Sequence, residues 1–459
     1  MSGGEVNMES QKSLKDVAQE GLEWIKKNRP KGTEIEIYIS RAKERGAEFR
    51  EGKLNGIQYD SSEGVGLRVF KDGRIGFSSA SKISIDAIKE LYAQALAHTP
   101  YLEQDNHKGF PEPVLSKENG AWMKTLKDHS LFKEDWDVLF PRLEAMQQTA
   151  LKTPRVVSAL RAGYGEMESE VAIENTLGVS AYESGTSVSA GLSVMAKDSS
   201  EVQIGSAFQS LRGKEALDFQ KIGREAAERG VCLLGSKKIS TSARSVIFPP
   251  MVAVEFLEII SDLLCADQIQ RGKSLLAGKL GAKVAAGQVS LIDDPWMEAG
   301  LGSSLYDDEG LPTQPKTMIE GGILKEYFYD FYTAKKEGRL SNGSASRGSF
   351  KGLPSPSSSN FYLKPGKLSY DEIISQTSRG LVLIEVMGMH MADPISGEFS
   401  VGASGLAVEG GRVTHAVKNA MISGNILDIL GGIDAIGSDL TFYGSTGSPT
   451  FRVASLMVA

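Results

Sequence analysis

Glycine constrains this chain more than any other feature, because 50 of its 459 residues are glycine. Glycine alone adopts positive φ without steric cost, so a chain this rich in it is built around many tight turns. Asp72-Gly73, Gly321-Gly322, Gly410-Gly411 and Gly431-Gly432 are spaced as turn pairs between short apolar stretches. Val65–Phe70 and Ile75–Ser79 flank Asp72-Gly73, which is the pattern of an antiparallel hairpin. A sheet-rich protein follows, and 459 residues exceed one compact core, so two or three domains are expected.

Between the turns the apolar period switches from strand to helix. Leu14, Val17, Ala18, Leu22 and Ile25 fall on one helical face, and Lys31-Gly32 ends it. Ile35, Ile37 and Ile39 alternate with polar residues as in a half-buried strand. Ser84 caps a helix carrying Ile85, Ile88, Leu91, Tyr92 and Ala95. Residues 98–120, with Pro100, Pro111 and Pro113, read as a linker crossing the surface. A helix over about 133–152 precedes strong alternation in residues 155–211, where Val188, Ala190, Leu192, Val194 and Ala196 form a period-two run. Residues 217–234 return to helix. Val246–Phe248 is a short strand stopped by Pro249-Pro250, and Met251–Cys265 is a strongly apolar helix. From Val284 onward, short glycine-punctuated strands dominate, and Ser341–Ser359 reads as an exposed loop or a mobile flap. Residues 1–11 are polar and read as disordered. The fold class is α+β.

Composition removes several function classes. A net charge of −7 with no basic run offers no footprint for direct nucleic-acid binding. No uninterrupted apolar run approaches the length of a membrane span, and the N-terminus lacks the basic-then-apolar pattern of a signal peptide. Two cysteines, Cys232 and Cys265, are too few for a disulfide scaffold. A soluble cytoplasmic protein is expected. The densest polar loop is GLGSSLYDDEGLPT, Gly300–Thr313, where Asp307, Asp308 and Glu309 are consecutive. Three acids suit either a metal or a capped turn, and composition favours a solvated connection. The five histidines, His98, His107, His129, His390 and His415, show no zinc-helix spacing, and no Gly-x-Ser-x-Gly elbow accompanies the available hydroxyls of Ser303, Ser304 and Ser400. His390 lies beside Asp393 and Glu398 at a strand end, where it either hydrogen-bonds a sheet edge or serves as ligand or base.

At GLGSSLYDDEGLPT the chain resembles the TldD/PmbA (TldD/TldE) metallopeptidase family. EGVGLRVFKDGRIGFSSAS (63–81), MIEGGILKEYFYDFYTAKKEGRLSNG (318–343), GEFSVGASGLAVEGGRV (397–413) and ISGNILDIL (422–430) extend the resemblance from about residue 14 to the C-terminus. It implies an N-terminal α+β domain (12–100), a middle domain (120–235) and a β-rich C-terminal domain (243–459) with antiparallel and mixed sheets. It further implies a heterodimeric zinc peptidase, in which one subunit type carries an HExxxH helix and a C-terminal cysteine and the other lacks both. Here the helix after Pro249-Pro250 reads VEFLEIISDLLC, with Leu257 before Glu258 and Asp262 four residues on. The C-terminal segment GSPTFRVASLMVA has no cysteine. The resemblance therefore points to a TldE/PmbA-type subunit: no catalytic or metal residue of its own, zinc held by a TldD-type partner, and unfolded or modified peptides as substrate. Asp307, Asp308, Glu309, His390 and Ser400 are the residues expected to line a peptide chamber. A homodimer in the partner's absence, a self-sufficient peptidase with an atypical site, and a regulatory protein of the gyrase-modulator description are the alternatives.

Overall fold

The computed structural model describes residues 12–115, 120–199 and 201–459; the reading of residues 1–11 as disordered lies outside them. Its first half is a helix, three strands and a helix, followed by a helix, three strands and a helix. These are α1 (Leu14–Asn28), β1 (Glu34–Arg50), β2 (Lys53–Lys71), β3 (Arg74–Ala80) and α2 (Ile85–His98), then α3 (Trp136–Leu151), β4 (Val156–Asn175), β5 (Ser180–Lys197), β6 (Val202–Leu211) and α4 (Phe219–Cys232). Ser13, Ser84 and Asp218 cap α1, α2 and α4 by accepting backbone N–H bonds from the first turn. Asp72 and Gly73 take φ of 50° and 75°, as the β2–β3 hairpin turn requires.

The strands form one antiparallel sheet in the order β3-β2-β1-β4-β5-β6. β1 pairs with β4 from Glu36↔Asn175 to Arg50↔Arg161, so the N-terminal and middle regions share a continuous sheet. β1 and β2 are much longer than Ile35–Ile39 and Val65–Phe70, the apolar stretches visible in the sequence. Residues 53–62 of β2 are exposed, so burial imposes no apolar alternation there.

All four helices lie on one face of this sheet. Ile35, Ile37 and Ile39 of β1 pack on α1 and α2, while Ala47 and Phe49, in the same alternation phase, pack with residues of α3 and α4. The opposite face is bare along most of its length. At one end it receives the C-terminal domain, so β1 is not half-buried there: Glu36 and Tyr38 are as buried as the isoleucines.

The C-terminal domain begins with β7 (Ser242–Phe248) and α5 (Pro250–Leu263). Pro249 and Pro250 end the strand and open the helix, since proline lacks the N–H a strand needs but fits a first helical turn. β7 pairs in parallel with strand Arg379–Met387 and antiparallel with Phe451–Val458. Ile422↔Val458 pairing then closes the sheet on itself. A second, mixed six-stranded sheet is built from the short strands between residues 291 and 448. Phe248, Phe256, Phe328, Phe361 and Phe451 fill the shared core. Gly321-Gly322 and Gly410-Gly411 are positive-φ turns as expected. Gly431-Gly432 is not a turn but the end of helix Ile426–Gly432.

Two expectations of loose structure are corrected. In the 98–120 segment, Phe110 is buried under the Arg68 guanidinium and the Pro111 carbonyl accepts from Asn175 Nδ2 at 2.9 Å. Ser341–Ser359 is a wedge rather than an exposed flap: Asn342, Ala345, Arg347 and Phe350 are buried. Phe350 seats against β2, where a Cβ on Gly66 would stand 2.3 Å from the Phe350 carbonyl oxygen and one on Gly64 2.4 Å from its ring. Gly66→Val is therefore expected to lower unfolding free energy by about 1–3 kcal/mol, the usual cost of overpacking, and to open residues 348–353 to protease. Urea titration and limited proteolysis check both effects.

Candidate functional site

The acidic loop lies where the C-terminal domain meets the bare sheet face, and it is not solvated. Glu309 is 1 % exposed and Asp307 is buried with it. Asp307 accepts N–H bonds from Glu309 (3.0 Å), Leu311 (2.9 Å) and Ala345 (3.2 Å), so its carboxyl ties the loop to the 341–359 wedge. Gly310, at φ 76°, makes the turn that allows this. Glu309 reaches Arg68 of β2 at 3.3 Å and accepts from the Phe331 N–H at 2.7 Å. Asp308 accepts from the Arg347 N–H at 2.7 Å and from the Tyr38 hydroxyl at 3.3 Å.

At the centre, Glu36 of β1 receives Arg68 Nε at 2.8 Å and also pairs with Arg347 Nη2. Burial by itself raises the Glu36 carboxyl, but Arg347 and Arg68 together hold it below its ordinary value. The same balance fails for the loop acids. Burial pushes Asp307 up to about 8, with repulsion from Glu309 adding to it. Burial likewise pushes Glu309 up to about 7 against the pull of Arg68, with Asp330 and Glu36 repelling. Glu36, Asp308, Glu309 and Asp330 thus draw on two guanidiniums, while Asp307 has only backbone N–H groups to offset its burial, and all but Glu36 are raised.

A cavity of about 560 Å³ lies beside this cluster, between β4, β5 and residues 301–308. Asp308 reaches its wall, as do Glu183 and Arg212. Arg212 donates to the carbonyls of Gly300 (2.9 Å), Leu301 (2.6 Å) and Ser303 (2.9 Å), and Glu183 accepts from the Leu305 N–H (2.6 Å). Glu183 is raised by burial, with Asp308 adding to the effect.

The other expected site residues stand apart from this cluster. Ser400 is exposed on strand Glu398–Glu409. The backbone of His390 lies in the 3-10 turn Met389–Met391, and its side chain lies outside the described residues. Met389 lines a cleft of about 520 Å³ with Glu255, Glu258 and Asp262 of α5, the helix where the resemblance puts HExxxH. Leu257, at the position before Glu258, is 1 % exposed in the core. All three acids are raised, first by burial and then by one another or by Glu385 and Asp267. Cys265, one turn on, is buried and its thiol is pushed up, mainly by burial. Typical zinc sites take most of their donors from His or Cys, and this cleft offers carboxyls, with Glu258 and Asp262 exposed and Glu255 partly buried. Among the described residues, no group of three or more His, Cys, Asp or Glu side chains is arranged to hold a metal ion.

Glu36, Arg68, Arg347, Glu183 and Arg212 escaped the sequence reading. A signal was present for one of them: Arg68 is the single charge between Glu63 and Lys71 in an apolar stretch, on the face opposite Val65, Leu67 and Val69, whereas Glu36 follows Glu34 on the same strand face and does not stand out.

Three profiles of one family match in order: PmbA/TldA metallopeptidase domain 1 over residues 35–98, the central domain over 134–234 and the C-terminal domain over 241–459. A metalloprotease of Methanothermobacter thermautotrophicus is 30% identical over 89% of this chain and 92% of its own length. The metalloprotease PmbA of Escherichia coli O157:H7 is 24% identical over 88% of this chain and 87% of its own. The crystal structure of a proposed DNA gyrase modulator from Thermotoga maritima superposes with a TM-score of 0.89 at 29% identity, covering 97% of this chain and 100% of that one. TldE from Thermococcus kodakarensis shares the fold, with a TM-score of 0.87 at 23% identity over 96% of this chain and 100% of its own.

The raised loop acids carry a pH signature. Asp307 and Glu309 bind protons more tightly folded than unfolded, where a carboxyl titrates near about 4. Their contribution to stability is complete below about pH 4 and is lost as pH rises towards about 8. Glu309→Gln removes one of these groups and relaxes the other. Its unfolding free energy is expected to fall less than the wild type's between mildly acidic and mildly alkaline pH. Urea titrations at the two pH values check this, and parallel pH profiles would refute it.

Proposed function

Because this chain belongs to the PmbA/TldD metallopeptidase family, we propose that it is the TldE/PmbA-type subunit of a zinc metallopeptidase. In this reading it cleaves nothing alone. A TldD-type partner would hold the zinc, which when bound would supply polarisation of the scissile carbonyl and activation of water. This chain closes the chamber in which unfolded or modified peptides are cut. The observation that carries the reading is the composition of α5. Where a catalytic subunit needs two imidazoles and a glutamate, Leu257 is in the core, while Glu255, Glu258 and Asp262 are carboxyls already raised by burial and mutual repulsion.

A cytoplasmic location accompanies this reading. Both cysteines are unpaired, and among the described residues no helix is long and apolar enough to cross a membrane. The acidic balance disfavours direct contact with DNA, so any effect on gyrase is indirect.

The test is zinc content and peptide hydrolysis of the purified chain, alone and mixed with a TldD-type subunit from the same source. The lone chain is expected to be zinc-free and inert and the mixture active. One zinc per lone chain with cleavage would overturn the reading, and His390 would then be the first residue to replace.

A further inference from the structure

The bare face of the long sheet carries an unexplained set of glycines. In β4, Ala162 and Tyr164 pack on the helices, so Gly163 and Gly165 belong to the opposite face. Gly56 of β2 lies on that face too. None of the three has positive φ. A Cβ on Gly56 or Gly163 would meet nothing within 4 Å, and one on Gly165 would first meet Ser189 Oγ at an ordinary 3.5 Å. Neither backbone conformation nor packing within this chain requires glycine at these positions. A glycine inside a strand is destabilising relative to alanine and commonly marks close approach by another backbone. The far end of the same face supplies the precedent, because there Gly64 and Gly66 are filled by Phe350 and its carbonyl.

Above the unfilled glycines the surface is hollow. Three contiguous hollows, of about 560, 830 and 310 Å³, all reach Ser189 on β5. Glycine and serine make up much of their floor, joined by Met167, Val171 and Ile173 beneath the first. Phe208, edge-on to Tyr443 with ring centroids 5.5 Å apart, walls one side. The first hollow runs on beneath residues 301–308, a space that suits a single strand better than a folded surface. The free charge along it is negative. Glu44 and Asp60 are exposed, and neither has an ion-pair partner among the described residues. Arg161 shares Glu48 with Arg50 at one end, and Arg212 is spent on backbone carbonyls.

We propose that this face binds an extended polypeptide segment bearing basic side chains, its backbone laid over Gly163 and Gly165 and directed towards the 301–308 loop. Glycine gives the incoming chain access to the floor, serine hydroxyls meet its amides, and Glu44 and Asp60 attract its lysines or arginines. The inference rests on the peptidase-subunit reading only for taking substrate peptide as the occupant.

The experiment is fluorescence anisotropy with the full-length chain alone and a fluorescein-labelled peptide of alternating glycine and lysine. A glycine–glutamate peptide serves as the counterpart. Saturable binding of the lysine peptide is expected, and much weaker binding of the glutamate peptide. Gly163→Leu and Ser189→Trp, both pointing into open space, should each weaken binding by about tenfold or more by blocking backbone approach. Val413→Trp, on the C-terminal sheet, should leave it unchanged. Circular dichroism confirms that each variant is folded, and a benzophenone-bearing version of the peptide should crosslink to the 187–193 segment. The proposal is overturned if the lone chain does not bind, if both groove variants bind like the wild type, or if the two peptides bind equally. It is also overturned if hydrogen exchange shows the groove covered by a partner chain in the mixture while peptide stays outside it. Binding is read on the lone chain and hydrolysis on the mixture, so this inference and the subunit reading fail independently.

Discussion

Glu36 sits between Arg68 and Arg347, and the attachment of the C-terminal domain to the long sheet depends on that arrangement. Glu36 and Arg68 belong to neighbouring strands of the sheet, whereas Arg347 comes from the wedge that the C-terminal domain inserts. A buried carboxylate without a partner is costly, and removing one partner of such a pair typically costs about 3–5 kcal/mol. The charges therefore act less as glue than as a register. Docking in any other alignment leaves a guanidinium or a carboxylate buried and unmatched, and Phe350 then misses the space that Gly64 and Gly66 leave for it.

The acidic loop is subordinate to this pair. Its three acids exceed the cations available to them. Asp307 is engaged in holding N–H groups of its own loop and the wedge, Glu309 in reaching Arg68 and Phe331, and Asp308 in meeting Arg347 and Tyr38. A loop that looks like a metal site in one dimension becomes a buried fastener in three. Asp307 and Asp308 also reach the adjoining cavity, so docking geometry and the shape of that hollow are set by the same few residues.

The docking has a second consequence. With all four N-terminal helices on one side of the sheet and the C-terminal domain covering only one end of the other, the remaining face stays open. Antiparallel sheets tolerate one solvated face, but they usually carry long polar side chains on it. Here glycines and serines line much of it, and α5, with its raised carboxyls, lies in the other domain.

Much of the fold was legible in the sequence because it depends on local rules. The α1, α2, α4 and α5 helices, the Asp72-Gly73 hairpin and the positive-φ turns at Gly321-Gly322 and Gly410-Gly411 follow from periodicity, capping and the conformational freedom of glycine, all carried by adjacent residues. The family likeness was legible for a related reason, since its motifs are continuous stretches. The polar lengths of β1 and β2, the union of two domains in one sheet, the burial of Asp307 and Glu309 and the wedge role of Ser341–Ser359 were not legible. Each depends on a partner far away in the chain: Glu36 and Arg347 are 311 residues apart and Arg68 and Glu309 are 241. A sequence states that a residue is charged. Only the tertiary structure decides whether that charge meets water, a counter-ion or a proton, because burial is a property of the packed whole.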